Sequence, residues 1–101
     1  KIIKGIFQHS LAHRQRTFNE SHIKTTPRLN VDMNIQDIVE YLYNCYRERI
    51  EKFGARAIKN IINKRIIKEI AIRKLQAEYN KASSATIHIG VEDENLRIEL
   101  Q

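Results

Sequence analysis

The chain has 101 residues, of which 42% are hydrophobic, and a formal net charge of +6. This length fits one domain, and so large a hydrophobic fraction excludes a disordered chain. No apolar run reaches the roughly 18 residues that span a bilayer, and residues 1–7 are too short and too interrupted by Lys for a secretory signal. The single cysteine, Cys45, cannot form an internal disulfide, which favours a reducing intracellular compartment.

The positive charge raises the question of nucleic acid. Lys and Arg are distributed along the helical segments and interleaved with Glu. A surface that meets acidic neighbours, ATP or another subunit accounts for the charge equally well, and a basic nucleic-acid-binding module is kept as an alternative. Because the chain does not begin with Met, we expect it to be a fragment of a longer protein.

The first predicted element is an amphipathic helix over residues 1–16. Its apolar residues recur at helical spacing, and they are Ile2, Ile3, Ile6, Phe7 and Leu11. Residues 17–26 have no clear period and are predicted to form a loop. Pro27 then opens a short strand over 29–33, where apolar residues occupy every second position.

A second helix is predicted over residues 35–46, with Asn34 as its N-cap and Asp37 in the first turn, where the helix dipole favours a negative charge. Its apolar stripe consists of Ile35, Ile38, Val39, Leu42 and Cys45. This position predicts a buried, inert thiol for Cys45. The pattern of the charged connector over 47–52 fits either a helix or a loop.

The longest predicted helix spans residues 55–79, which contain neither Pro nor Gly. Its first half has an apolar face of Ile58, Ile61, Ile62 and Ile66, opposite Lys59, Asn60, Asn63 and Lys64. In the second half the apolar face moves to Ile67, Ile70 and Ala71, a rotation of roughly 100–150°. The helix is therefore either kinked or packs its second half on another surface, inside the domain or against a neighbouring domain or subunit.

The last segment alternates twice between apolar and polar residues, over 86–91 and 96–100, around a polar turn at 92–95. This pattern predicts a β-hairpin. The order of elements is helix, strand, helix, helix, strand, strand. It predicts an α+β fold in which three helices pack on a small three-stranded sheet.

Two short patterns were weighed as sites. His9 and His13 stand four residues apart on a predicted helix, a spacing that can hold zinc, but neither a following Glu nor a third ligand is evident. We interpret them as exposed helix histidines and predict no metal. Residues 19–21 match a glycosylation sequon, which means little without a secretory context.

The sequence contains no phosphate-binding loop. Its glycines, Gly5, Gly54 and Gly90, lie far apart, and the pattern G-x-x-x-x-G-K-[ST] does not occur. Phosphoryl transfer needs a backbone cradle, a metal and a positioned water. We therefore do not expect this chain to hydrolyse ATP by itself.

The segment Gly54-Ala55-Arg56 lies where the longest helix begins. The free N–H groups of a helix N-terminus favour anions. An Arg in the first turn adds a forked, permanent positive charge that suits phosphate oxygens. From the residues alone, Arg56 is either part of an anion site or a surface Arg at the start of an ordinary helix.

Gly54-Ala55-Arg56, followed by an aliphatic-rich helix, resembles the sensor 2 motif of Clp-type AAA+ ATPases. The order of elements is similar to that of the C-terminal small domain of ClpA, ClpB and ClpC proteins, and the resemblance covers most of the chain. It implies a lid over the ATP site of a large domain, in which Arg56 senses the nucleotide phosphates. Gly54 and Ala55 would let the helix start lie close to the nucleotide.

The resemblance also implies partners. ATP and Mg would be bound mainly by the large domain of an ATP-hydrolysing chaperone that unfolds or disaggregates polypeptides. The parent would be a homo-hexamer, with a Clp protease as a further partner, in the cytoplasm or in a plastid-like organelle of endosymbiotic origin. Residues 46–49 replace the Gly-Tyr-Asp-Pro stretch of the family, and Ala57 replaces its Pro, which marks a divergent member. The remaining alternative is a nucleotide-independent interaction or oligomerisation domain.

Overall fold

The computed structural model describes residues 2–21 and 28–100. The elements in these ranges are α1 (Ile2–Ser21), β1 (Arg28–Met33), α2 (Ile35–Cys45), α3 (Arg47–Phe53), α4 (Ala55–Ile62), α5 (Lys68–Tyr79), β2 (Ser84–Glu92) and β3 (Asn95–Leu100). A π-helical turn, Asn63–Ile67, joins α4 and α5 into one rod. The predicted α+β class is confirmed, but the described ranges hold four helical rods rather than three, because the charged connector forms α3.

The sheet has the strand order β1-β2-β3. Strands β2 and β3 pair in antiparallel fashion around a two-residue turn, Asp93 and Glu94, whose φ values of 52° and 63° are positive, as a type I′ turn requires. The predicted hairpin is confirmed. Strand β1 pairs with β2 in parallel, and helices α2 to α5 supply the long crossover that a parallel pair needs.

One face of the sheet is buried and the other is exposed. On β1 the burial alternates strictly between exposed and buried residues, as expected for a half-buried strand. The buried side chains of β1 and β2 are Leu29, Val31, Met33, Ile87 and Ile89. Most of them join helix residues such as Phe7, Leu42 and Ile58 in one hydrophobic cluster, so the helices and the sheet share a core.

Helix α1 is longer than predicted, because residues 17–21 are helical and not part of a loop. Two side chains of α1 bond the outer edge of β1, and one of them, Asn19, lies in this extension. Asn19 Oδ1 accepts the N–H of Val31 at 2.7 Å, and Asn19 Nδ2 donates to the carbonyl of Val31 at 3.1 Å. Gln15 Oε1 accepts the N–H of Met33 at 2.9 Å. These bonds substitute for a neighbouring strand and protect an edge that would otherwise attract one.

Parts of the predicted first segment lie outside the described residues. These are Lys1, residues 22–26 of the predicted loop, and Pro27. The sequon at 19–21 falls at the end of α1, where both amide atoms of Asn19 are already bonded to Val31. In this fold the sequon asparagine is therefore a structural residue.

The α4–α5 rod keeps one buried row through the π-helical turn. Ile58, Ile62, Ile66 and Ile70 are all buried and are spaced four residues apart. In an α-helix of 3.6 residues per turn, a four-residue repeat drifts by about 40° at each step. The wider i→i+5 turn takes up an extra residue, which returns the row towards the core. The π-helical turn thus keeps one row buried, whereas the sequence predicted that the apolar face rotates to Ile67, Ile70 and Ala71.

The second half of the rod leaves a different apolar row in solvent. Ala71 was predicted to be covered and is exposed. Ile72, Leu75 and Tyr79 follow at helical spacing, with 37%, 64% and 88% of their surface accessible. We call Ile72, Leu75 and Tyr79 the α5 stripe. Leu75 and Tyr79 are left largely uncovered by the described chain, whereas Ile72 is partly covered.

An arginine on the π-helical turn fastens the rod to the joint between α2 and α3. Arg65 Nη1 donates to the Tyr46 hydroxyl at 2.7 Å, and its guanidinium lies 5.8 Å from the centre of the Tyr46 ring. This hydrogen bond is the main cause that raises the pKa of Arg65 above its ordinary value. Since Tyr46 separates α2 from α3, the contact holds both helices against the rod.

The prediction of a buried Cys45 is wrong. Cys45 is the last residue of α2 and is exposed. The buried part of its apolar stripe ends at Leu42, and the next buried residue along the chain is Ile50 in α3. The stripe therefore runs past the edge of the core before it reaches the thiol.

We expect Asn19→Ala to lower the free energy of unfolding by about 1–3 kcal/mol, because it removes both hydrogen bonds to Val31 and leaves buried backbone groups unpaired. Urea denaturation measures the change. Asn60→Ala is the matched control, since Asn60 is exposed on α4. It should change stability by less than about 0.5 kcal/mol. Equal effects of the two substitutions would contradict the role of Asn19 as an edge cover.

Candidate functional site

Helices α3 and α4 meet at a single residue, Gly54. The N–H of Gly54 donates to the Ile50 carbonyl at 2.7 Å and ends α3, and the Gly54 carbonyl accepts the N–H of Ile58 at 3.2 Å and begins α4. Its backbone adopts φ 60° and ψ −131°. Residues with a Cβ avoid this region, whereas glycine enters it readily. The junction therefore requires Gly54 for its backbone conformation.

The sequence-based interpretation of Gly54 was a close approach to a ligand. An added Cβ at Gly54 would meet no atom of the described chain within 4 Å. Within the domain there is therefore room for a side chain at this position. Glycine is required because of the positive φ. Ala55, the second residue of the motif, is exposed on the first turn of α4.

Arg56 projects from the first turn of α4 into solvent. Its orientation follows from the next two residues, since Ala57 and Ile58 are buried, with 2% and 1% of their surface accessible. Within residues 2–21 and 28–100, no carboxylate lies within ion-pair distance of Arg56. Its guanidinium is therefore open to a ligand or partner from outside the domain.

The start of α4 also exposes backbone donors. The first N–H that enters the hydrogen-bond ladder of α4 is that of Ile58, so the N–H groups of residues 55–57 precede the ladder, as at any helix start. Such groups attract anions through their partial positive charge. A guanidinium and a helix start together can hold a phosphate group, although they supply neither a metal ligand nor a base.

Histidines His9 and His13 lie in a cleft between α1 and α4, which the sequence analysis did not anticipate. The cleft has a volume of about 410 Å³ and includes Ala55 and Lys59 on the α4 side. Among the described residues there is no group of three His, Cys, Asp or Glu side chains that could hold a metal ion. His13 Nδ1 instead accepts a hydrogen bond from Arg16 Nη2 at 3.3 Å.

The helical spacing of the α1 histidines is visible in the sequence, but their meeting with Lys59 is not. That meeting depends on the packing of α1 against α4. The sequence alone shows two i, i+4 pairs. His9 and His13 form one pair on α1, and Ala55 and Lys59 form the other on α4. Each pattern marks one face of a helix, and only the fold decides which faces meet.

Comparisons with known proteins found no match: no protein-family model, no curated protein and no solved structure is similar to this chain. In the part of the chain that the structure describes, no helix is both long and apolar enough to cross a membrane.

We expect Gly54→Ala to destabilise the domain by about 1–3 kcal/mol, because the new side chain must occupy a positive-φ conformation. Gly5→Ala is the matched control, since Gly5 is exposed within α1 and an added Cβ meets open space. There the same substitution should stabilise by up to about 1 kcal/mol. Urea unfolding of both variants measures the difference. If Gly54→Ala destabilises the domain no more than Gly5→Ala does, Gly54 is not required for its backbone conformation.

Proposed function

We propose that this domain is the C-terminal lid and sensor 2 domain of a Clp-type AAA+ chaperone that uses ATP to unfold or disaggregate proteins. The observation that carries the proposal is Arg56, which projects from the first turn of α4 beside the Gly54 junction and has no ion-pair partner among the described residues. The α+β architecture with a closing hairpin is the arrangement that the resemblance implies. The proposal is our own, and it rests on this geometry and on the motif.

In this role Arg56 contributes charge and not bond-making chemistry. A phosphoryl group in transfer spreads negative charge over its oxygens. A guanidinium that reaches those oxygens stabilises them through charge-assisted hydrogen bonds. ATP and Mg would be held mainly by a large domain, and closure of the lid would bring Arg56 to the phosphates. Gly54 and Ala55 set the direction in which the first turn of α4 points.

The proposed assembly is a homo-hexamer in which small domains contact large domains of neighbouring subunits. The α5 stripe supports such a contact, because three large apolar side chains at helical spacing are exposed and a folded domain gains by covering them. Unfolded polypeptide and a Clp protease would be partners of the assembly and not of this domain alone. The proposed location is the cytoplasm or a plastid-like organelle.

The same stripe favours a second candidate, an oligomerisation domain without any link to nucleotide. The two candidates differ in one respect. The oligomerisation domain would be favoured by two results together: the protein forms oligomers that depend on Leu75 and Tyr79, and its ATP turnover does not change when Arg56 is substituted. Light scattering of the variant Leu75→Ser/Tyr79→Ser, beside the ATP assay below, separates them.

In the complete protein that carries this domain, we expect Arg56→Ala to reduce ATP turnover by about ten- to a hundredfold, since it removes a charged donor aimed at phosphate oxygens. The measurement is steady-state phosphate release, with kcat and KM determined separately. The stability of the domain should change by less than about 0.5 kcal/mol, because Arg56 is exposed.

Arg49→Ala is the control for this experiment. Arg49 is exposed on α3, five residues before Gly54, and its loss removes the same charge. Turnover of this variant should match that of the natural protein. Normal turnover in Arg56→Ala, or an equal loss in both variants, would refute the sensor role.

A further inference from the structure

The positive charge of the protein is concentrated in two helical segments that touch. Helix α1 and the segment 55–67 carry seven Lys or Arg residues against one acidic residue, Glu20. Residues 28–54 and 68–100 carry nine against eleven. The interleaving of opposite charges that the sequence analysis described therefore does not extend to this pair of helices, which pack against each other.

The cleft described above lies between these two segments. Its lining from α1 is His9, Ser10, His13 and Arg14, and its lining from α4 is Ala55, Lys59 and Ile62. Among the residues that the structure describes, no acidic side chain lines it. Ile62, which also lines the cleft, is buried, with 2% of its surface accessible. We call this feature the α1–α4 cleft.

Arg14 and Lys59, which line the α1–α4 cleft, can each donate hydrogen bonds to a ligand. Within the described ranges, no carboxylate lies within ion-pair distance of Arg14 or Lys59. Because His13 Nδ1 accepts from Arg16, the neutral His13 ring carries its proton on Nε2, which is then a donor. Arg14 and Lys59 line the same cleft, so an anion bound near both would lower the electrostatic energy.

We propose that the α1–α4 cleft binds a phosphate group of an oligophosphate, with Arg14 and Lys59 as its charged ligands and His13 as a further N–H donor. Two permanent cations and several N–H donors suit a group with multiple charged oxygens better than a single carboxylate. The cleft is a local feature of about 410 Å³ that is open to solvent, a size that suits a compact anion, whereas nucleic acid follows an extended basic track.

The source of the phosphate is either a free oligophosphate or the phosphate chain of a nucleotide. Ala55 belongs both to the cleft and to the sensor motif, so a nucleotide held by Arg56 lies beside the cleft. In its nucleotide form the inference rests on the proposed function. In its free oligophosphate form it does not, and the experiment separates the two.

The test is calorimetric titration of the 101-residue chain with inorganic tripolyphosphate and, in a separate arm, with ATP, at low salt and at about 0.15 M salt. We expect one binding site for tripolyphosphate. Lys59→Gln and Arg14→Gln should each weaken binding about tenfold, because each removes a charge-assisted hydrogen bond. If ATP also binds, and Lys59→Gln and Arg14→Gln weaken its binding to the same extent, the nucleotide is a source of the phosphate. If only tripolyphosphate binds, the ligand is a free oligophosphate.

Matched controls remove the same charges elsewhere. Lys68→Gln on α5 and Arg49→Gln on α3 change exposed side chains and should leave the affinity within about twofold of the natural chain. Lys59→Gln and Arg14→Gln should keep or raise the melting temperature, since they relieve repulsion in the empty cleft. Tripolyphosphate should raise the melting temperature of the natural chain and of the controls, because a ligand of the folded state stabilises it.

Three results would overturn the proposal. The first is no binding of tripolyphosphate at low salt. The second is an equal loss of affinity in the cleft variants and the controls, which would mean a diffuse attraction. The third is tighter binding of a single-stranded oligonucleotide with a steep salt dependence, which would assign the basic face to nucleic acid. None of these depends on the ATP turnover of Arg56→Ala, so the cleft and the sensor role can fail separately.

Discussion

The backbone of Gly54 ends α3 and begins α4 within one residue, and the direction of the long rod depends on this turn. At φ 60° the chain enters a region that only glycine occupies without strain. The turn allows Ile50 on one side and Ala57 and Ile58 on the other to enter the same core. Arg56 is then left on the outside of the domain. The conformation of Gly54 therefore sets both the packing of the rod and the exposure of the Arg56 side chain.

The remaining structure supports this turn from two sides. Arg65 ties the π-helical part of the rod to Tyr46 at the joint of α2 and α3, which fixes the rod relative to the helices before it. Helix α1 covers the edge of β1 through Gln15 and Asn19 and also packs against α4. The same helix therefore protects the sheet and provides one wall of the α1–α4 cleft, and its position matters for both stability and binding.

Much of the fold was predictable, because it follows from local patterns. The alternation over 86–91 and 96–100 led to the hairpin, and the apolar spacing of α2 and of the rod led to their buried faces. Local patterns failed where burial ended at the boundary of the core. Cys45 and Ala71 continue apolar stripes in the sequence, yet both are exposed, because the stripes extend beyond the surface that the sheet and the other helices offer.

For the candidate site, the sequence by itself determined the motif Gly54-Ala55-Arg56 and the start of a helix there, since both depend on neighbouring residues. Only the tertiary structure decided that Arg56 faces solvent and that Gly54 has a positive φ. It also decided that Lys59 meets Arg14 and His13 across a cleft. These residues of one cleft lie about 45 positions apart in the chain, and helical periodicity describes each helix face without saying which face it meets.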